Sequence, residues 1–369
     1  RRSHPADVRS ASYPQVKENL MKYRPLGRTG LDVSLVCMGT MTYGEQNTPD
    51  EAFEQLDYAL DQGVNFIDTA EMYSVPVKPE TYGRTEEIVG DWMAARGNRD
   101  KVILATKALG PGDRFPTARP GGARPTLDAA DIRVAVDQSL KRLKTDYIDL
   151  YQIHWPARST NYFGALNYTH DDAEDVTPIA ETLTVLGEMV AAGKIRHVGV
   201  SNETPWGLLD YLRQSETGGL PRIASIQNPY NLINRTFEIG TAEIAIRENV
   251  GLLAYGCLAS GMLTGKYMGD ARPDGARLSL WPDYFPRYMS KTSFEATEKY
   301  DALAKQHGLK TAEMALAFCG SRRFMTSVII GATKMPQLKA NIEAVGTDLS
   351  QDVLDGIEAI NAERPNAYL

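Results

Sequence analysis

The chain has 369 residues, 43% hydrophobic and 24% charged, with a formal net charge of −7 at pH 7. That length and balance suit a soluble globular protein built as one barrel with long loops; the acidic balance argues against a nucleic-acid surface, and no apolar span of about 18 residues offers a membrane helix. Three widely spaced cysteines, Cys37, Cys257 and Cys319, fit neither a disulfide framework nor a metal motif and point to a reducing cytoplasm.

Residues 1–20 are polar and basic with no apolar h-region, so they do not read as a secretory signal. They carry little apolar surface to offset ordering entropy, and a flexible extension ahead of a domain spanning 21–369 is expected. The first strand candidate covers 34–38. Thr48-Pro49-Asp50-Glu51 then reads as a capping box with proline at the first helical position. Phe53, Leu56 and Leu60 make one apolar face, and Gly63 supplies the stop. Strand candidates follow at 64–68 and 102–107. A helical stripe of Ile132, Val136, Leu140 and Leu143 precedes a strand at 147–154. Thr177-Pro178 opens a helix with Leu183, Leu186 and Val190 buried, closed at Gly193. Strands at 196–201, 223–227 and 251–255 come next. A late helix after Thr311 leads to the last strand, 327–331, and the stretch from Gly331 to Asn341 opens another helix.

Most of these eight strands are short continuous apolar runs, as expected when both faces are covered. Alternating strands and helices predict an α/β fold of the (β/α)8 TIM-barrel class, a single domain with long loops at the carboxyl rim. An open doubly wound sheet would carry a glycine fingerprint after its first strand, and Cys37-Met-Gly-Thr-Met-Thr-Tyr-Gly44 has its glycines at the wrong spacing. Three interruptions, at 110–126, 156–176 and 268–291, each follow a strand, which would place them over the active face as lids or walls, or as plain surface decoration.

Three chemically capable residues close strand-like runs: Asp68, Lys107 and His154. Tyr73 lies in the loop after Asp68. Singly, each has an ordinary structural reading: helix cap, solvated lysine, core histidine, loop anchor. Together, at successive strand ends, they converge on one rim. A free tyrosine titrates near pH 10, and a nearby ammonium lowers that value. Lys107 would act on Tyr73 in this way, with Asp68 holding Lys107 charged and His154 hydrogen-bonding a substrate oxygen. The set suits protonation of a carbonyl oxygen that gains charge on receiving hydride. Metal chemistry is not expected, because His4, His154, His170, His197 and His307 show no paired ligand spacing.

No side chain supplies hydride, so a nicotinamide is required. Val198-Gly-Val-Ser-Asn202 and Ile223-Ala-Ser-Ile-Gln-Asn228 end strands with groups able to pair with a carboxamide. The flat ring of Tyr255 suits stacking. The glycine-rich run from Gly256 to Lys266 would cradle pyrophosphate, although its spacing is not that of a P-loop. A helix N-terminus after Gly331 favours phosphate, and Lys334 there would meet a 2′-phosphate, favouring NADPH over NADH.

These residues resemble the aldo-keto reductase superfamily, most of all its Tas-type bacterial branch, from Tyr23 to about Ala362. The motifs carrying the likeness include Gly39-Thr-Met-Thr, Asp68-Thr-Ala-Glu-Met-Tyr73, Ala105-Thr-Lys107, Asp149-Leu-Tyr-Gln-Ile-His-Trp-Pro156, Gly199-Val-Ser-Asn202, Gln227-Asn-Pro-Tyr230, Leu263-Thr-Gly-Lys266 and Gly331-Ala-Thr-Lys334. The resemblance implies NADP(H) extended across the carboxyl rim of a TIM barrel. It also implies a tetrad of Asp68, Tyr73, Lys107 and His154, with Tyr73 as general acid, tuned by Lys107 and Asp68. Ser201, Asn202 and Gln227 would hold the carboxamide and Tyr255 would stack. Gly256, Cys257, Leu258, Ser260, Gly261 and Lys266 would line the pyrophosphate. Gly331, Thr333, Lys334, Gln337 and Asn341 would meet the adenosine end. Gly39, Thr40, Met41 and Asp68 complete the implied cofactor contacts. The stretch 74–83 after the tetrad tyrosine is longer than in many relatives, so substrate preference does not carry over.

The expectation is thus a cytoplasmic NADPH-dependent reductase of small aldehydes or ketones, with Tyr43, Trp155 and Trp281 as pocket-wall candidates. The alternative is an NADP(H)-sensing binding protein resembling potassium-channel β subunits, with a partner surface at 1–20 or 110–126.

Overall fold

The structure, a computed structural model, describes residues 21–112, 119 and 122–369. The expected extension at 1–20 and part of the 110–126 loop lie outside them. The chain first makes a small antiparallel hairpin from β1 (Tyr23–Pro25) and β2 (Asp32–Ser34). Eight parallel strands follow: β3 (Val36–Gly39), β4 (Phe66–Asp68), β5 (Ile103–Ala108), β6 (Ile148–Ile153), β7 (Ile195–Ser201), β8 (Ile223–Pro229), β9 (Gly251–Tyr255) and β10 (Met325–Ile330). They pair in sequence order, and β10 closes the barrel onto β3. The expected (β/α)8 barrel is the fold of the protein. Its strands are buried along nearly their whole length, all six residues of β6 included, which is why they read as apolar runs rather than alternating ones.

Period-two alternation decides what the barrel interior holds at each level. Cys37, Phe66, Ala105, Leu150 and Leu253 cluster as an apolar layer with Ala224 of β8. Two residues further along those same strands stand Gly39, Asp68, Lys107, Gln152 and Tyr255. The polar level therefore sits one step above an apolar floor, toward the carboxyl rim. The hairpin plugs the other end with Leu26 and Val33, both fully buried against that floor. Gly27 in its turn has φ +55, and a Cβ there would lie 2.4 Å from the Ala224 carbonyl oxygen, so only glycine lets the plug seat. The plug was not foreseen: three-residue strands, one containing Pro25, are too short to show a period.

The helices wrap outside. α1 (Pro49–Asp61) carries the expected capping box: Glu51 N–H donates to Thr48 Oγ1 at 3.3 Å, and Thr48 N–H donates to Glu51 Oε2 at 3.0 Å. α2 (Arg84–Arg96) and α3 (Ala129–Leu143) follow, the latter capped by Asp128. α4 (Ile179–Ala191) starts one residue later than Thr177-Pro178 suggests. Thr177 Oγ1 donates to the Thr126 carbonyl instead of capping, and Pro178 stands at the N-cap. α5 (Pro205–Gly218) and α6 (Thr241–Arg247) complete the next two units. α7 (Arg277–Leu280) forms inside the 268–291 interruption. α8 (Lys291–Gln306), α9 (Thr311–Ser321), α10 (Met335–Val345) and α11 (Gln351–Glu363) close the domain. No helix among the described residues is long and apolar enough to cross a membrane.

Candidate active site

Three strand ends and the loop after one of them bring the chemistry to the rim. Asp68 closes β4, Lys107 lies near the end of β5, and His154 follows β6. Tyr73 N–H donates to the Ala70 carbonyl at 3.0 Å, which folds the loop after β4 back over the barrel. Lys107 Nζ lies 2.6 Å from Asp68 Oδ2 and 2.7 Å from the Thr69 carbonyl oxygen. The same ammonium is 5.0 Å from the centroid of the Tyr73 ring. Tyr73 and His154 meet edge to face, with centroids 5.8 Å apart. The structure thus gathers all four into one buried group.

The lower half of this group is held rigidly. Asp68 Oδ1 accepts from Gln152 Nε2 at 3.1 Å and from Gln227 Nε2 at 2.8 Å, so both carboxylate oxygens are occupied. Burial pushes the Lys107 pKa down, but Asp68 and Tyr73 outweigh it and the net shift is upward, so the ammonium persists. For Tyr73 burial is the largest influence and raises the pKa; Lys107 pulls it down without cancelling that rise. The expected lowering by Lys107 is present, but in the protein alone burial outweighs it and the net shift is upward. The ring keeps its proton because a buried phenolate loses its hydration and Asp68 neutralises part of the ammonium field. His154 moves the other way. Burial, then Lys107, push it well below the ordinary imidazole value, so the ring is neutral at pH 7. Its Nδ1 has no partner among the described residues.

A second group of candidates surrounds this centre. Ser201 Oγ donates to the Gln227 carbonyl at 2.7 Å. Asn202, in a left-handed conformation, donates from Nδ2 to the His154 carbonyl at 2.9 Å and accepts from the Tyr255 hydroxyl at 2.5 Å. Ser201, Asn202 and Tyr255 therefore meet beside His154, whereas Gln227 turns its amide nitrogen down to Asp68. Thr40 Oγ1 donates to the Asp68 carbonyl at 2.9 Å, and Met41 packs against the cluster that holds Tyr73. Gly39 is required where it is, since a Cβ there would lie 2.7 Å from Ile329 Cγ2.

Beyond β9 the backbone after Gly256 turns through left-handed Ala259, Ser260 and Gly261. Cys257 is buried, with its thiol donating to the Ala254 carbonyl, and Leu258 packs on the main core. A Cβ on Gly261 would lie 3.0 Å from Lys266 Nζ, so the bare backbone leaves room for that ammonium. Burial, then Arg277, lower the Lys266 pKa. Arg277 is also pushed down by burial. Neither cation forms a salt bridge with a described carboxylate; each rests on an aromatic face, Lys266 on Tyr267 and Arg277 on Phe285, both at 5.4 Å. Two half-desolvated cations without a counter-ion are costly unless an anion completes them. Sequence reasoning missed Arg277, because nothing local distinguishes one basic residue in a variable loop.

At the far end, Gly331, Thr333, Lys334, Gln337 and Asn341 collect at the start of α10. Thr333 N–H donates to Gln337 Oε1 at 3.1 Å, and Asn341 Nδ2 donates to the Gly331 carbonyl at 3.4 Å. The Lys334 side chain is 69% exposed, 3.7 Å from Glu51 Oε1.

The three pocket-wall candidates separate. Trp155 is buried beside His154, at 5.2 Å between centroids, and its indole N–H donates to the Pro111 carbonyl at 2.8 Å. Tyr43 does not reach the mouth: it is fully buried in the main core, with its hydroxyl donating to Gln55 of α1. Trp281 is likewise not part of the cluster around Tyr73; Phe285, four residues on, packs there because the turn after α7 swings it inward. Two further groups went unread in the sequence. Glu71 is buried and accepts from Arg119 Nη1 at 2.6 Å and Nη2 at 2.9 Å, tying the 110–126 loop to the segment that bears Tyr73. Tyr82 and Val75, from the long stretch 74–83, pack onto the same cluster.

The family model described as "Aldo/keto reductase family" matches residues 35–362. The chain is 49% identical to "Protein tas" of Escherichia coli over 343 residues, covering 92% of this chain and 98% of that protein. It is 34% identical to "Uncharacterized oxidoreductase YrpG" of Bacillus subtilis over 94% of this chain and 99% of that one. It is 30% identical to "Probable voltage-gated potassium channel subunit beta" of Arabidopsis thaliana over 94% of this chain and all of that one.

Proposed function

The chain belongs to the aldo/keto reductase family, and from that premise we propose that it reduces aldehydes or ketones to alcohols with NADPH, using Tyr73 as the proton donor. The family supports oxidoreductase chemistry at carbonyl groups and the use of a nicotinamide cofactor. The donor set fits such a group. Lys266 and Arg277 would take the pyrophosphate, Tyr255 the nicotinamide face, Ser201 and Asn202 the carboxamide, and Lys334 with the start of α10 the adenosine phosphate. When bound, the cofactor supplies hydride to the carbonyl carbon.

The remaining chemistry belongs to the chain. His154, neutral, hydrogen-bonds the carbonyl oxygen and polarises it. Tyr73 gives that oxygen its proton as negative charge develops. The Lys107 ammonium, 5.0 Å from the ring, then stabilises the phenolate left behind, and Asp68 at 2.6 Å keeps the ammonium in place. The observation that carries the reading is this buried ion pair beside a phenol ring that meets a neutral imidazole edge to face.

Titration of nicotinamide fluorescence tests the cofactor assignment. NADPH binds more tightly than NADH; Lys334→Met removes about ten- to a hundredfold of that preference, as expected for one charge-assisted contact of roughly 1.5–3 kcal/mol, while Arg277→Met weakens both forms. An NADH preference in the wild type would contradict the role given to Lys334. A second reading, cofactor sensing without appreciable turnover, is supported by the name of the Arabidopsis relative. Tight NADPH binding with no turnover on a broad carbonyl panel would favour it over ours.

A further inference from the structure

One cation at the mouth has no place in the scheme above. Arg287 lies in the short turn Pro286–Tyr288. It forms no salt bridge with a described carboxylate. It hydrogen-bonds the phenols of Tyr255 and Tyr288: burial pushes its pKa down, and these two groups outweigh that and hold it up, so the guanidinium stays charged. Two phenols leave part of its five-donor fork free.

Its neighbours lie on the His154 side of the mouth. The loop that follows His154 closes over it: Gly164 has φ +96, and a Cβ there would lie 3.2 Å from Arg287 Nε. The preceding residue, Phe163, meets Trp155 edge to face at 5.5 Å, and Trp155 leans on His154. On the other side, Arg287 touches Tyr255, whose hydroxyl donates to Asn202, which donates to the His154 carbonyl. His154, Trp155 and Phe163 on one side, and Asn202, Tyr255 and Arg287 on the other, thus form two runs of contacts that start at His154, and Gly164, next to Phe163, brings the first run up to Arg287. Five members are aromatic or neutral polar groups, and Arg287 is the single charge among them. A set of neutral groups on the His154 side with one incompletely satisfied guanidinium is arranged for a ligand that is largely apolar and carries one anion.

We infer that Arg287 selects carbonyl substrates that carry a carboxylate, held by the guanidinium fork while the carbonyl group lies against Tyr73 and His154. This rests on the reductase reading above. A planar fork matches a carboxylate through two parallel N–H···O bonds, and Trp155 and Phe163 supply a flat apolar wall for the body between the two ends.

The test compares 2-, 3- and 4-carboxybenzaldehyde, each with its methyl ester, in wild type, Arg287→Met and Arg287→Lys. In the wild type at least one acid has a kcat/KM about tenfold or more above its ester, carried mainly by KM. In Arg287→Met that acid-to-ester ratio collapses toward one, and Arg287→Lys restores part of it. Binding of the corresponding hydroxymethyl benzoates and their esters, followed by tryptophan fluorescence, gives the same ordering without turnover. Equal affinity for acid and ester in the wild type, or equal loss of both in Arg287→Met, overturns the proposal. Failure of the reductase reading looks different: the acid binds selectively through Arg287 but no carbonyl is reduced.

Discussion

Tyr73→Phe lowers kcat/KM for aldehyde reduction by about 10²–10⁴-fold, the range ascribed to a positioned general acid, while NADPH affinity stays nearly unchanged. The substitution removes one oxygen and keeps the ring that packs with Met72, Val75, Leu109 and Trp155, so the pocket wall survives. The pH dependence carries the same signature. Burial raises the Tyr73 pKa in the protein alone, and reduction needs the protonated phenol. Wild-type kcat/KM is therefore flat through neutral pH and falls only as the pH climbs past the ordinary phenol value. Because His154 is neutral well below pH 7, its titration contributes no loss on the neutral side. Stopped-flow kinetics of the variant, with fluorescence titration of NADPH, checks both halves; unchanged turnover in Tyr73→Phe removes the proposed acid.

Lys107→Met has the second large effect, on stability as well as activity. The ammonium is fully buried and paired at 2.6 Å, so its removal strands the Asp68 carboxylate with only Gln152 and Gln227 as donors. Breaking a buried pair from one side costs about 3–5 kcal/mol. The expected result is an unfolding free energy, from denaturant titration, lowered by that amount, with reduction lost as the phenolate loses its cation. In the double variant Lys107→Met, Asp68→Leu the stranded charge is gone, and much of the stability returns while activity does not. Folding raises the Lys107 pKa, so the pair's contribution is complete below the ordinary lysine pKa and is lost only as pH rises beyond it. Equal destabilisation in the single and double variants would mean that packing, not the unpaired carboxylate, sets the cost.

Legibility in the sequence followed the physics of each feature. The barrel strands were readable because burial on both faces forces apolar runs, and the capping box of α1 because it is a local exchange of two hydrogen bonds. Their ends shifted by at most two residues: Ser34 belongs to the plug, and β3 starts at Val36. The plug itself was invisible, since Gly27 is demanded by the Ala224 carbonyl, nearly two hundred residues away. Asp68, Lys107 and His154 could be grouped because barrel topology brings strand ends to one rim. Tyr43 was misplaced because its short loop turns back onto α1, where its hydroxyl meets Gln55. Arg277 and Arg287 left no mark at all. What distinguishes them is that neither forms a salt bridge with a described carboxylate, a property of three-dimensional neighbours that no spacing encodes.

The most direct test of the central claim is a tracer measurement. The protein is mixed with NADPH deuterated at both C4 positions and with 4-nitrobenzaldehyde, and the alcohol is weighed by mass spectrometry. If Tyr73 and the nicotinamide share one mouth, the wild type forms alcohol with one deuterium on the former carbonyl carbon, and Tyr73→Phe forms almost none although the cofactor is bound. Alcohol without the label, or no alcohol from any aldehyde while NADPH is bound, contradicts it.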